Sequence, residues 1–205
     1  ASTKVRLALR TEDKPDTSPD WRAWKAVRPM RVLFYYRGIE SLGIGYLMSM
    51  LSHAGHHVDL IFEPGLDDNG YLNIAALDRL NQRAALLERA KAFKPDLIAI
   101  GATTHMWSHA ARWARLFKEN LDAPVLVGGH HTQALPELVI ADPNVDMVCT
   151  GEGEVALLDL VNRMAVGVDY SDVPTLWVKT PNGIVRNAIG PLENNLDRFP
   201  FPEKA

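Results

Sequence analysis

The stretch MRVLFYYRGIESLGIGYLMSMLSHAGHHVDLIF, residues 30–62, decides the fold. It opens with MRVLFYY (30–36), a nearly continuous apolar run of strand length, the pattern of a strand buried on both faces of a parallel sheet. Ile44, Leu47, Met48 and Leu51 then recur at helical spacing, and Gly55 suits the left-handed turn that ends a helix. HVDLIF (57–62) is apolar again. A strand, a helix and a strand in so short a span form a crossover unit whose two strands run parallel.

Working outward, the alternation repeats. Residues 73–93 carry Leu77, Leu80, Ala84 and Leu87 on one helical stripe, and PDLIAIGA (95–102) reads as a buried strand. A helix over 106–120, a strand over 124–128, a short helix over 132–141 and a strand over 145–149 follow. A helix over 152–166 then turns Leu157, Leu158, Val161 and Met164 inward. The pattern predicts an α/β, Rossmann-like (flavodoxin-like) doubly wound domain over 30–168 with five parallel strands; if their order is 2-1-3-4-5, as expected here, the exits of the first and third strands flank the switch point. Residues 1–29 are polar and punctuated by proline, a lead-in rather than a core element. In 169–205, PTLWVKTPNGIVRNA places an asparagine-glycine turn between two apolar runs and predicts a C-terminal β-hairpin extension, after which LDRFPFPEKA reads as a linker.

Composition narrows the function classes. At 205 residues and 47% apolar content the chain supports one sizeable core. A net charge of -3 argues against a nucleic-acid partner. No apolar run approaches the roughly 20 residues of a membrane span, and ASTKVRLALRTEDKPD has no signal-like apolar centre, so a cytoplasmic protein with no membrane partner is expected. The single cysteine, Cys149, excludes an internal disulfide and any CxxxCxxC cluster motif within these residues.

In a doubly wound sheet the ligand sits beyond the carboxyl ends of the strands, where strand order reverses. That rule selects four loops: RGIESLGIG (37–45), TTHMWS (103–108), GGHHT (128–132) and TGEGE (150–154). Taken singly, each has a purely structural explanation. Glycine serves tight turns, Ser41, Thr104, Thr132 and Thr150 serve as helix caps, and Glu152 and Glu154 suit a helix N-terminus. Together they concentrate bare backbone, small hydroxyls and imidazoles on one rim. His105 and His109 stand at i, i+4, but no HExxH pattern or cysteine accompanies them, and no metal ligand is assigned. His53, His56 and His57 flank the second strand away from the rim and are expected on the surface. A GxSxG elbow, a P-loop and a GxGxxG after the first strand are all absent. A phosphorylatable receiver module is disfavoured too. Its acids would stand where Tyr36, Arg37, Gly101 and Ala102 do.

ESLGIGYLMSMLSHAGHHVDLI, KPDLIAIGATT, PVLVGGHHTQALPE, NVDMVCTGEGEVALLDLV and NLDRFPFP, in that order, resemble the N-terminal cobalamin-binding domain of the B12-dependent radical SAM enzymes. The resemblance covers roughly residues 30–202. It implies a domain that holds base-off cobalamin over a separate radical SAM barrel, in cis or in trans, in an enzyme of methyltransferase or cyclase type. The barrel would carry a [4Fe-4S] cluster and S-adenosylmethionine, and this part would not turn over alone. By that resemblance Ser41, Leu42 and Gly43 border the corrin, and Thr103 and Thr104 hydrogen-bond the nucleotide tail. Gly128 and Gly129 let the tail pass, and Gly151, Glu152 and Gly153 line its far end. Glu40, Gly45, His105, His130 and Thr150 complete the implied cofactor-binding set, with His130 and His131 as rim groups. One departure stands out. Where related cobalamin domains carry DxHxxG, residues 38–43 read GIESLG, with Gly38 and Glu40 in place of the aspartate and the axial histidine. Cobalt would then keep water, no lower ligand, or a residue such as Glu40 or His105. The competing reading is a flavodoxin-like binding or docking module of a radical SAM protein that has lost B12 and takes another ligand or partner.

Overall fold

The computed structural model describes residues 26–38, 41–64 and 82–202. Glu40, the lead-in up to residue 25 and the helical stripe positions Leu77 and Leu80 lie outside the described residues. The elements follow the predicted alternation. β1 (Arg31–Gly38), α1 (Leu42–Ala54), β2 (His57–Pro64), α2 (Gln82–Phe93), β3 (Leu97–Gly101), α3 (Trp107–Asn120) and β4 (Val125–Gly128) come first. α4 (His130–Ala134), α5 (Pro136–Ala141), β5 (Met147–Cys149), α6 (Glu154–Val166), β6 (Leu176–Thr180) and β7 (Gly183–Arg186) complete them. The sheet order is β2-β1-β3-β4-β5-β6-β7. The first five strands are parallel in the predicted 2-1-3-4-5 order, and the hairpin β6–β7 adds antiparallel to β5.

Local signals explain the boundaries. The Ser41 hydroxyl accepts the Ile44 N–H at 3.4 Å at the start of α1. Gly55, at φ 96°, closes the helix and donates to the Leu51 and Ser52 carbonyls. The predicted short helix is instead two, because Pro136 has no N–H to continue α4 and begins α5. A 3-10 turn over Thr104–Met106 precedes α3.

The sheet separates two cores. On one face Val32, Phe34, Leu97, Leu126 and Met147 pack under α1 and α6. On the other, Leu33, Tyr35, Ile98, Ile100 and Val127 pack under α3, where Trp113 and Phe117 complete an aromatic cluster with Tyr35 at centroid separations of 5.0 and 6.2 Å. Glu63 reaches this second face from β2. It accepts the Tyr35 hydroxyl at 2.6 Å and the Trp113 indole N–H at 2.9 Å, and it lies 3.6 Å from Arg37. Burial and the neighbouring carboxylate push the Tyr35 phenol well above its usual range.

Two expectations are corrected here. His56 is buried rather than on the surface: its Nδ1 accepts the Met30 N–H at 3.2 Å and its Nε2 lies 3.1 Å from the Asn162 Oδ1, tying the start of β1 to α6. His53 and His57 are exposed. Ala84 is also exposed, and α2 packs inward through Leu86, Leu87 and Ala90. The C-terminal tail contacts α1: the Ser49 hydroxyl donates to the Phe201 carbonyl at 2.7 Å, and Phe199 packs on the first core.

Candidate functional site

Strand register makes the site. Phe34, Ala99, Leu126 and Met147 stand side by side across β1, β3, β4 and β5. Two residues nearer the carboxyl ends, on the same face, the row is Tyr36, Gly101 and Gly128, with Cys149 beside Gly128. Two consecutive positions of that row have no side chain. Along β3 the residues facing α1 and α6 shrink from Leu97 to Ala99 to Gly101, so the sheet is hollowed toward its exit.

The hollow is a cavity of about 370 Å³ between the sheet and helices α1 and α6. Its inner wall is apolar and shielded from solvent: Phe34, Ala99, Leu126, Leu157 and Leu176, with the Cys149 thiol among them. Polar side chains line only the outer part. Ser41, Thr103 and Glu154 are half-buried, and His130, Gln133 and Glu152 are exposed.

Backbone geometry holds the rim together. Gly129 has φ 110°, and a Cβ there would lie 2.7 Å from the Ala102 carbonyl oxygen, so only glycine fits this turn without strain. Ala102 donates to the Gly128 carbonyl at 2.8 Å and its own carbonyl accepts the His131 N–H at 3.1 Å, which latches the loops after β3 and β4. The Thr132 hydroxyl lies 2.6 Å from both the Gly129 and Cys149 carbonyls and couples β4 to β5.

The expected set divides under this geometry. Ser41, Gly43, Thr103, Gly128, Gly129, His130, Gly151, Glu152 and Gly153 converge on the cavity. Leu42 points outward and is 64% exposed, while Gly45 is buried within α1. Thr104 and His105 sit on the 3-10 turn, exposed and outside the lining. Thr150 is buried and donates its hydroxyl to the Thr175 carbonyl at 2.9 Å, which fixes the hairpin to β5. His131 is not a rim group. It is 3% exposed, stacked on Trp107 at 5.1 Å, and its Nε2 has no hydrogen-bond partner among the described residues. The inner wall itself was missed, although alternate positions of FYY, LIAIG, VLVGG and MVC mark it as every second residue ahead of the chosen loops.

Electrostatically the site is mildly acidic and otherwise neutral. Burial, and then the nearby Glu152, raise the Glu154 carboxyl above its ordinary value. Burial pushes the Cys149 thiol up to about 11, so it remains protonated near neutrality, and it donates to the Gly151 carbonyl at 3.4 Å. Among the described residues, no group of three or more His, Cys, Asp or Glu is placed to hold a metal ion. No helix among them is long and apolar enough to cross a membrane.

The family model for the B12 binding domain matches residues 35–161. An uncharacterised methyltransferase of Pyrococcus horikoshii is 34% identical over 165 residues, covering 78% of this chain and 32% of the relative. The anaerobic magnesium-protoporphyrin IX monomethyl ester cyclase of Rubrivivax gelatinosus is 28% identical, covering 83% of this chain and 32% of that protein. The chain therefore spans about a third of the length of these relatives. Among solved structures, the radical S-adenosylmethionine methyltransferase TsrM from Kitasatospora setae, with cobalamin and a [4Fe-4S] cluster bound, shares the fold with a TM-score of 0.64 at 17% identity, over 85% of this chain and 31% of that one.

Proposed function

Because the chain belongs to the B12-binding domain family, we propose that it is the cobalamin-holding part of a B12-dependent radical SAM enzyme of methyltransferase or cyclase type. In this reading the cofactor is held base-off, with its nucleotide tail in the cavity between the sheet and helices α1 and α6. The observation that carries the reading is the row Tyr36, Gly101, Gly128 and Cys149, where two missing side chains open a slot at the carboxyl edge of the sheet. A Cβ at Gly101 would sit 2.8 Å from the Tyr36 ring and narrow that slot, so the cradle suits a bulky tail.

The chain's residues bind and orient. The apolar wall of Phe34, Leu126, Leu157 and Leu176 excludes water from the tail, and Gly128 and Gly129 let it pass the rim. Ser41, Thr103 and His130 offer polar groups at the mouth to the sugar, the phosphate and the corrin amides. Residues 38–43 read GIESLG and hold no histidine that would ligate cobalt from the first loop. Cobalamin, when bound, supplies a cobalt centre able to carry a methyl group, and its lower ligation tunes that chemistry. A single buried cysteine leaves cluster ligation to a radical SAM barrel, in cis or in trans.

The test is reconstitution. Hydroxocobalamin added to the purified chain is expected to survive gel filtration at one equivalent with a base-off spectrum. A base-on spectrum, or loss of the corrinoid, overturns the reading and leaves the docking-module alternative.

A further inference from the structure

The two depths of the cavity differ in chemistry. Every lining side chain that is shielded from solvent is apolar or a neutral thiol. Every lining side chain that carries a strong donor or acceptor is half-buried or exposed, toward the mouth. The Tyr36 hydroxyl follows the same division, since it lies beside Gly38 at the exit of β1. Several groups beside the inner wall are already paired. The Ala102 N–H and carbonyl are taken by Gly128 and His131, the Cys149 carbonyl by Thr132, and the Cys149 thiol by Gly151.

Resting on the cobalamin reading above, we propose that this inner wall selects the base that ends the nucleotide tail, accepting an apolar benzimidazole and rejecting a purine. A benzimidazole presents carbon edges and methyl groups to Phe34, Leu126 and Leu157, and its burial is favourable. A purine of similar outline brings an exocyclic amine and extra ring nitrogens. These lose water on entry and meet no polar side chain at the inner wall, which is the costly half of hydrogen-bond energetics. The selection is thus by unsatisfied polarity and not by size.

The experiment compares three corrinoids on the same chain by equilibrium binding: hydroxocobalamin, its analogue with adenine as the lower base, and cobinamide, which lacks the nucleotide. Cobalamin is expected to bind tightest, with the adenine form weaker by at least about tenfold, as one unpaired buried polar group implies. Cobinamide is expected to lose most of the affinity. Equal binding of cobalamin and the adenine form overturns the selection while leaving the cobalamin site standing. Failure to bind cobalamin overturns both. Leu47→Gln, at a half-buried α1 position in the lining, places an amide in the slot and should narrow the gap between the two bases. An unchanged gap in that variant counts against the wall as its origin.

Discussion

Two rows of residues cross the same four strands one step apart, and they behave oppositely. Tyr35, Ile100, Val127 and Val148 face α3 and fill their side of the sheet completely. Tyr36, Gly101, Gly128 and Cys149 face α1 and α6 and leave a cavity of about 370 Å³. A one-residue step along a strand changes faces, so adjacent positions in sequence serve stability on one side and accommodation on the other. The filled face also carries the half-buried Glu63 network, whose donors Tyr35 and Trp113 lock the aromatic cluster.

The contrast can be broken by substitution. The largest stability effect should come from Phe117→Ala on the filled face, a loss of about 3–5 kcal/mol as for other buried aromatic truncations. Its folded fraction should retain cobalamin with unchanged affinity, measured by urea unfolding and equilibrium binding. A comparable loss of affinity would show that the two faces are not separable. Gly129→Ala comes next. Its positive φ and the 2.7 Å approach to the Ala102 oxygen predict a loss on the order of 3 kcal/mol, together with weakened cobalamin retention. A change below about 1 kcal/mol would mean that the rim turn is more forgiving than its geometry implies.

Gly101→Ala sharpens the comparison from the hollow side. It should cost little stability, because the Tyr36 ring is half-buried and can shift, yet lower cobalamin affinity about tenfold, roughly 1.4 kcal/mol. Unchanged affinity would place the tail elsewhere.

The smallest effect is a pH dependence that reports on histidines outside the cavity. Burial lowers the pKa of both His56 and His131. Neutral imidazole is therefore the folded form, and its stability contribution is present above the unfolded value of about 6.5 and lost as pH falls through and below it. His56 explains the sign. Its Nδ1 accepts the Met30 N–H, so protonation there sets two donors against each other. The urea midpoint should drop between pH 7.5 and 5.5, and His56→Gln should flatten that drop. An acid drop of the same size in the variant would assign it to other groups.

Much of the domain was legible along the chain. The strand–helix alternation, the hairpin and most of the inward positions of α1 and α6 follow from periodicity and turn chemistry, because burial on a helix or strand leaves a repeating apolar signature. The rim loops were legible too, since glycine and small hydroxyls mark strand exits. Less legible was what each rim residue does. Thr150 and Gly45 stand in the right loops but serve the hairpin junction and the interior of α1. His56 sits in a polar-looking AGHHV context, yet a distant Asn162 and the Met30 amide make its burial favourable. These partners lie 106 and 26 residues away, beyond any local pattern.

The sequence by itself determined the alternation of strands and helices, the parallel sheet it implies and the edge of that sheet where glycine gathers, since these follow from apolar periods and composition. Tertiary structure alone decided that the ligand space is a slot with an apolar floor. That slot exists because register aligns Gly101 with Gly128 beneath α1 and α6, and register is a relation between strands that no single segment records.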